Sequence, residues 1–217
     1  MSKNRAIPVL LAIFFLLLLS ACERGEKEDR DNKEEAAMAL TWDQKLAREL
    51  PALGHRNWIV VADSGFPFQI SPGIDVVVSG EDHFAVLEKV LKAVDATQHL
   101  QPRIYLDKEL DFVTEELAPG IEAGRGKLKE MLKGRKAAPV LHANLLARLA
   151  GVGRTYRILM IKTNLALPYT SVFMELDCGY WPAESEAKMR ELMKNAAPPS
   201  PLKKSPPHAK KKKPGNK

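Results

Sequence analysis

Apolar positions in the central part of the chain recur with two different spacings, and each spacing predicts a different element. Phe84, Leu87, Leu91 and Val94 follow one another at intervals of three or four residues, which is the spacing of one face of an α-helix. Trp58 to Ala62 is instead a short, continuous apolar run rich in β-branched residues. Such a run predicts a buried strand.

The same criteria assign further elements along the chain. Thr41 and Gln44 have the spacing of a capping box, which marks the start of a helix. Further strands are predicted over residues 75–79, 103–106, 156–162 and 169–176. Helices are predicted over residues 41–50, 143–149 and 183–194, and within residues 108–117 and 126–133. Strands mixed with helices predict an α/β fold, a single-domain mixed sheet with flanking helices.

Charge is distributed unevenly along the chain. The 33 basic and 27 acidic residues give a net charge of +6, but seven lysines and no acidic residue lie after residue 195. These lysines are Lys203, Lys204, Lys210, Lys211, Lys212, Lys213 and Lys217. The remainder of the chain is nearly neutral, so the basic character belongs to a tail and no nucleic-acid partner is expected.

The two ends of the chain differ in composition from its middle. Residues 22–39 are mostly charged and predict a flexible tether, while residues 196–217 are rich in Pro and Lys and predict a disordered tail. The domain is expected over residues 40–195. The tail could bind an anionic envelope surface through its charge, or it could be solvated without a dedicated partner.

The N-terminus has the pattern of an export signal. Lys3 and Arg5 precede the 13-residue apolar run Ile7 to Leu19, which is shorter than the roughly 20 residues of a membrane-spanning helix. This predicts a cleaved signal peptide over residues 1–21. Leu19 to Cys22 reads Leu-Ser-Ala-Cys and resembles the bacterial lipobox, which implies that Cys22 is lipidated and that the protein is anchored to the cell envelope. The alternative is an ordinary signal peptide with a chance cysteine.

Cysteine content limits the covalent chemistry of the domain. If Cys22 is lipidated, Cys178 is the only free thiol and no intrachain disulfide can form. Cys178 lies in an apolar-rich stretch, where we expect it to act as a small buried hydrophobe.

The segment Leu53 to Pro67, Leu-Gly-His-Arg-Asn-Trp-Ile-Val-Val-Ala-Asp-Ser-Gly-Phe-Pro, places polar groups at both ends of a predicted strand. His55 precedes the strand and Asp63 follows it. Histidine can act as acid or base near neutral pH, and a carboxylate bonded to its other nitrogen fixes its tautomer. From the residues alone, His55 could equally satisfy helix-terminal carbonyls and Asp63 could form a turn.

This segment resembles the opening motif of the D-ribose pyranase and L-fucose mutarotase family. A second similarity lies late in the chain, where Pro168-Tyr169-Thr170-Ser171 precedes an apolar strand. The resemblance implies that Tyr169 contacts the sugar and that Ser171 replaces an asparagine with the same role. His142 is the best match to the family's second histidine, and the alternative is a helix N-terminal or surface histidine.

The resemblance also implies a mechanism and an assembly. Family members open the sugar ring by acid/base chemistry without a cofactor or metal. They form rings in which one subunit supplies the first His and Asp, here His55 and Asp63, and its neighbour supplies the tyrosine segment. Independently, the histidines lack close metal-ligand spacing, and the glycines near residues 124–126 and 151–153 lack a dinucleotide fingerprint.

Together these features predict a membrane-anchored mutarotase or pyranase that acts on a free ribose-like or fucose-like sugar, with His55, Asp63 and His142 as catalytic residues. The alternative is a non-catalytic sugar-binding or structural envelope lipoprotein with the same fold. No cofactor is expected. We expect a homo-oligomer with sites between subunits.

Overall fold

The computed structural model describes residues 40–195 of the chain. The chain divides between Gly179 and Tyr180 into two compact units. The predicted signal peptide with Cys22, the tether and the tail lie outside the described residues. Within residues 40–195, no helix is both long enough and apolar enough to cross a membrane.

One six-stranded sheet organises the first unit. Its strands are β1 (Trp58–Ala62), β2 (Ile74–Val78), β3 (Leu100–Asp107), β4 (Ala137–Val140), β5 (Ile158–Lys162) and β6 (Val172–Cys178). In space their order is β2-β5-β1-β6-β3-β4. Strand β5 is parallel to β1 and β2, and β4 is parallel to β3, whereas β6 is antiparallel to both β1 and β3. Five strands therefore share one direction and β6 opposes them.

Helices cover both faces of this sheet. Those of the first unit are α1 (Trp42–Glu49), α2 (His83–Asp95), α3 (Ile121–Met131) and α4 (His142–Val152), with 3₁₀ turns at Leu50–Ala52 and Lys108–Phe112. The second unit contains α5 (Ala183–Asn195).

Side chains of the sheet point alternately into two apolar cores, as the two-residue period of a strand requires. Ile59 lies in a core with buried residues of α1, α2 and α3. Its neighbour Val60 lies in the other core, with Leu145 and Leu149 of α4. Strand β1 is buried on both faces, which explains why all five of its residues are apolar.

The predicted α/β class, a mixed sheet with flanking helices, is confirmed. The predicted strand Trp58–Ala62 has the expected bounds, and the four apolar positions that predicted α2 are all buried. At the start of α1, the backbone N–H of Thr41 donates to Oε1 of Gln44 over 3.1 Å, as the capping-box spacing predicted.

Some bounds differ from the prediction. Strand β4 was missed because this short edge strand is partly exposed and contains Pro139. Helix α3 begins at Ile121 rather than near residue 126. Gly124 and Gly126 lie inside this helix, although glycine is unfavourable in a helix interior. Gly124 has a packing reason to be there, since a Cβ atom at that position would lie 3.0 Å from Leu167. Cys178 is half-buried at the end of β6 instead of fully buried.

Candidate active site

The strand directions bring several polar residues to one edge of the sheet. Strands β1, β3 and β5 end there, and the antiparallel β6 begins there. We call it the carboxyl edge, and we call the opposite end of the same strands the amino edge. The residues at the carboxyl edge that carry polar or aromatic groups include Asp63, Phe66, His83, Asp107, His142, Thr163, Tyr169 and Ser171.

Asp63 directly follows β1 and is buried. Its Oδ2 accepts the hydroxyl of Ser171 over 2.7 Å, and its Oδ1 accepts the backbone N–H of Gly65 over 3.0 Å. The backbone N–H of Asp63 in turn donates to Oγ of Ser171 over 3.1 Å. The carboxylate is therefore fixed in position by donors from the loop after β1 and from the residue that precedes β6.

His142 begins α4 and is paired with Asp107 at the end of β3. Nδ1 of His142 and Oδ1 of Asp107 are 2.9 Å apart. The backbone N–H of His142 also donates to both carboxylate oxygens of Glu109, over 3.0 and 3.1 Å. Because an ionised carboxylate can only accept, this pair holds the proton on Nδ1 and leaves Nε2 for proton transfer.

The carboxyl group of Asp107 occupies an unfavourable environment for a charge. Burial raises its pKa to about 6, while the hydrogen bond from His142 and the charge of that ring oppose the rise. The negative charges of Glu109 and Asp63 raise the pKa of Asp107 further. Its Oδ2 atom is buried and has no hydrogen-bond partner within residues 40–195. A buried carboxyl group whose pKa is raised toward neutral pH is typical of acid/base sites.

Two aromatic rings surround the His142 imidazole. Phe66 meets it edge-on with ring centroids 5.8 Å apart, and Tyr169 does so at 5.5 Å. Tyr169 has a positive φ of 61°, a conformation that costs energy for a non-glycine residue and is often found at functional sites. Its hydroxyl makes no hydrogen bond with any residue that the structure describes, so it is available to a ligand.

His83 is a further histidine near this edge. It is fully buried at the start of α2, and its Nδ1 lies 2.9 Å from Oγ1 of Thr163. Thr163 donates its own hydroxyl to the carbonyl of Ala62, so it accepts from His83. Burial lowers the pKa of His83 to about 4, against the smaller opposing effect of Asp63. His83 is consequently a neutral structural group at pH 7.

His55 lies at the amino edge, away from the other predicted residues. It precedes β1 whereas Asp63 follows it, and a five-residue strand rising roughly 3.3 Å per residue separates the two edges by roughly 15 Å. Nδ1 of His55 instead lies 2.8 Å from Oδ1 of Asp177. The expected contact between His55 and Asp63 is therefore not made within one chain.

The structure also changes the expected division of the site between subunits. Asp63 was expected beside His55, with the tyrosine segment coming from a neighbour. Asp63 is instead hydrogen-bonded to Ser171 of its own chain, and His142 and Tyr169 lie at the same edge. Ser171 is fully buried and donates its only hydroxyl hydrogen to Asp63, so here it orients the carboxylate rather than facing a ligand.

Sequence reasoning missed Asp107, the partner of His142. Its only signal is a position at the end of a strand, and the pairing depends on β3 lying parallel to β4. In the part of the chain that the structure describes, no three His, Cys, Asp or Glu side chains are grouped closely enough to hold a metal ion.

No protein-family model matches the chain, and no curated protein sequence does. Among solved structures, it is similar to RbsD of Bacillus subtilis in complex with D-ribose, with 15% identity over 61% of this chain and 91% of that one, at a TM-score of 0.44. The chain is also similar to FucU of Bifidobacterium longum, with 16% identity over 61% of this chain and 93% of that one, at a TM-score of 0.42. The fucose mutarotase of Streptococcus pneumoniae in complex with L-fucose is 16% identical over 61% of this chain and 91% of that one, at a TM-score of 0.43.

Proposed function

We propose that this chain interconverts the anomers or ring forms of a free monosaccharide, as a mutarotase or pyranase. The observation that carries the proposal is the cluster of Asp63, His142 and Tyr169 at the carboxyl edge. The three residues offer a fixed acceptor, an oriented acid/base and a free hydroxyl. The resemblance of Leu53 to Pro67 to the pyranase and mutarotase motif supplies the substrate class, a ribose-like or fucose-like sugar.

The chemistry needs two proton transfers. A base removes the proton of the anomeric hydroxyl while an acid protonates the ring oxygen, so the ring C–O bond breaks and an open-chain carbonyl forms. Nε2 of His142 carries out one transfer, with Asp107 holding Nδ1. Tyr169 and Asp63 hydrogen-bond sugar hydroxyls and orient the ring. Rotation about the C1–C2 bond and reversal of the steps close the ring as the other anomer, whereas attack by a different hydroxyl on the carbonyl closes it as the other ring form.

His55 supplies the second transfer from another copy of the chain. Because it lies at the amino edge, it reaches a sugar at the carboxyl edge only if two copies meet with these edges together. The active form in this proposal is a homo-oligomer with sites between subunits. We further propose that acylated Cys22 anchors it to a bacterial envelope membrane and that the lysine tail contacts an anionic envelope surface.

Saturation-transfer NMR on D-ribose and L-fucose tests the function, because it measures anomer exchange directly. We expect the full chain to exchange the anomers of at least one sugar faster than buffer, and His142→Asn to abolish the excess. His208→Asn is the matched control, since His208 belongs to the lysine-rich tail and not to the predicted domain, and its loss should preserve exchange. Sugar-dependent shifts in protein resonances without exchange would contradict the enzyme and support a binding module.

A further inference from the structure

A second histidine–carboxylate pair lies at the amino edge. Nδ1 of His55 is 2.8 Å from Oδ1 of Asp177, a geometry close to that of the His142–Asp107 pair. The His55 side chain is 57% exposed. Its Nε2 atom makes no hydrogen bond with the residues that the structure describes, so this ring nitrogen is open to an incoming molecule.

The backbone fixes the position of His55. The N–H of Arg56 donates to the carbonyl of Leu176 over 2.9 Å, and the N–H of Leu176 donates back to the carbonyl of Asn57 over 2.8 Å. Arg56 has a positive φ of 71°, which is strained for a residue with a side chain. Its guanidinium donates to the hydroxyl of Tyr156 over 3.0 Å. The turn that carries His55 is thus fastened to the end of β6, where Asp177 lies.

Asp177 is held from several sides. Its Oδ1 accepts the backbone N–H of Cys178 over 2.9 Å in addition to His55, and its Oδ2 is paired with the guanidinium of Arg103. Partial burial raises the pKa of Asp177, but the hydrogen bonds from Cys178 and His55 and the charge of Arg103 outweigh it, and the pKa is lowered. The carboxylate therefore stays ionised and accepts at Oδ1, so Nδ1 of His55 must donate.

An ordinary surface ion pair would not explain this arrangement. Exposed pairs of flexible side chains contribute little to stability and are not fixed in one geometry. Here the carboxylate has three donors and the histidine lies on a strained turn tied to the neighbouring strand. Strain that is maintained by several contacts is typical of sites that must present a group in one orientation.

We propose that Asp177, itself fixed by Arg103, is the positioning residue of His55. It holds the imidazole as the Nδ1–H tautomer and presents Nε2 to a sugar at the carboxyl edge of a second copy. This inference rests on the proposed function and adds to it two residues that lie outside the Leu53–Pro67 motif.

Exchange kinetics give the first test. We expect Asp177→Ala to lower kcat/KM for anomer exchange roughly 10- to 100-fold, because an unoriented base loses much of its catalytic contribution. Asp177→Glu should recover part of the loss by restoring the acceptor. The control is Asp95→Ala, which removes another partly exposed carboxylate paired with an arginine, Arg135, and should leave exchange unchanged.

The tautomer of His55, read from its ¹⁵N ring shifts at a pH where the ring is neutral, gives a test that needs no activity. The wild type and Asp177→Glu should carry the proton on Nδ1, and Asp177→Ala should lose that preference. A wild-type ring protonated on Nε2, or an unchanged ring in Asp177→Ala, would overturn the inference.

The two failures are distinguishable. If the wild-type chain exchanges no sugar, the proposed function is wrong whatever the tautomer. If the wild type exchanges and Asp177→Ala matches Asp95→Ala in both rate and tautomer, the function stands and the positioning role of Asp177 is wrong.

Discussion

Ser171 forms two hydrogen bonds with Asp63 in the interior of the protein. Its hydroxyl donates to Oδ2 of Asp63 over 2.7 Å and accepts the backbone N–H of the same residue over 3.1 Å. Both residues are buried. The bond therefore compensates a carboxylate that has lost much of its hydration and determines where its remaining lone pairs point.

Ser171→Ala should lower the free energy of unfolding by about 1–3 kcal/mol, because the buried carboxylate loses a donor. Equilibrium urea unfolding at pH 7 measures this loss. Ser79→Ala is the matched control, since the Ser79 hydroxyl also makes two hydrogen bonds, to the backbone carbonyl of Lys162 and from the backbone N–H of Glu81. Its partners are neutral and only partly buried, so its loss should be smaller. Equal losses would contradict the charge-assisted role of Ser171.

Tyr169→Phe should separate activity from stability. The Tyr169 hydroxyl has no partner among the described residues, so its removal should change the free energy of unfolding by less than about 0.5 kcal/mol. Anomer exchange should nevertheless fall roughly tenfold through the lost contact with the sugar. Tyr105→Phe should lower the free energy of unfolding and leave exchange unchanged. The Tyr105 hydroxyl lies away from the carboxyl edge and donates to Glu175 over a distance of 2.7 Å. Unchanged exchange in Tyr169→Phe would exclude Tyr169 from the site.

These relationships show what the sequence can and cannot predict. The apolar run Trp58–Ala62 and the helical spacing from Phe84 to Val94 predict their elements because each is buried on the face that its pattern marks. His55 and Asp63 lie close in the sequence, and their proximity suggested a pair. An extended strand between them instead sends them to opposite edges.

The actual partners of both histidines come from distant parts of the chain. Asp107 reaches His142 because β3 and β4 are adjacent, and Asp177 reaches His55 because β6 is antiparallel to β1. Neither pairing leaves a local spacing that could be recognised. Strand order, rather than motif, decides which carboxylate orients which imidazole.

Buried His83 should make the protein less stable in acid. Its pKa is about 4 in the folded protein against 6.5 for the free side chain, so the unfolded chain binds a proton first as the pH falls. The stability is fully present above pH 6.5 and decreases between pH 6.5 and 4, by up to about 3 kcal/mol from this group. Unfolding of His83→Asn across this range should show a weaker pH dependence than wild type. A wild-type pH profile in His83→Asn would contradict the assignment.

Asp107→Asn should stabilise the protein relative to wild type as the pH rises. The folded pKa of Asp107 is about 6 against 3.8 for the free side chain, so its contribution to stability is present below about pH 4 and is lost as the pH rises through 6. An amide has no charge to bury. Between pH 4 and pH 8, the free energy of unfolding of the variant should therefore rise by about 1–3 kcal/mol relative to that of the wild type.

Activity should change in the opposite direction. An amide is a weaker acceptor for Nδ1 of His142 than a carboxylate, so anomer exchange by Asp107→Asn should fall roughly 10-fold or more at pH 7. Thermal melts at two pH values and exchange rates at pH 7 check both halves of this prediction. A variant that keeps wild-type exchange would show that Asp107 does not orient His142.

The central claim is that sugar ring opening uses the carboxyl edge of one chain and His55 of another. The most direct measurement is the anomer-exchange rate of wild type, of His55→Ala, of His142→Ala, and of the two variants unfolded and refolded together in equal amounts. We predict rapid exchange by wild type, none above buffer by either variant alone, and about one quarter of the wild-type rate in the mixture, because random assembly pairs two intact edges at one site in four. No exchange by wild type, or no recovery in the mixture, would contradict the claim.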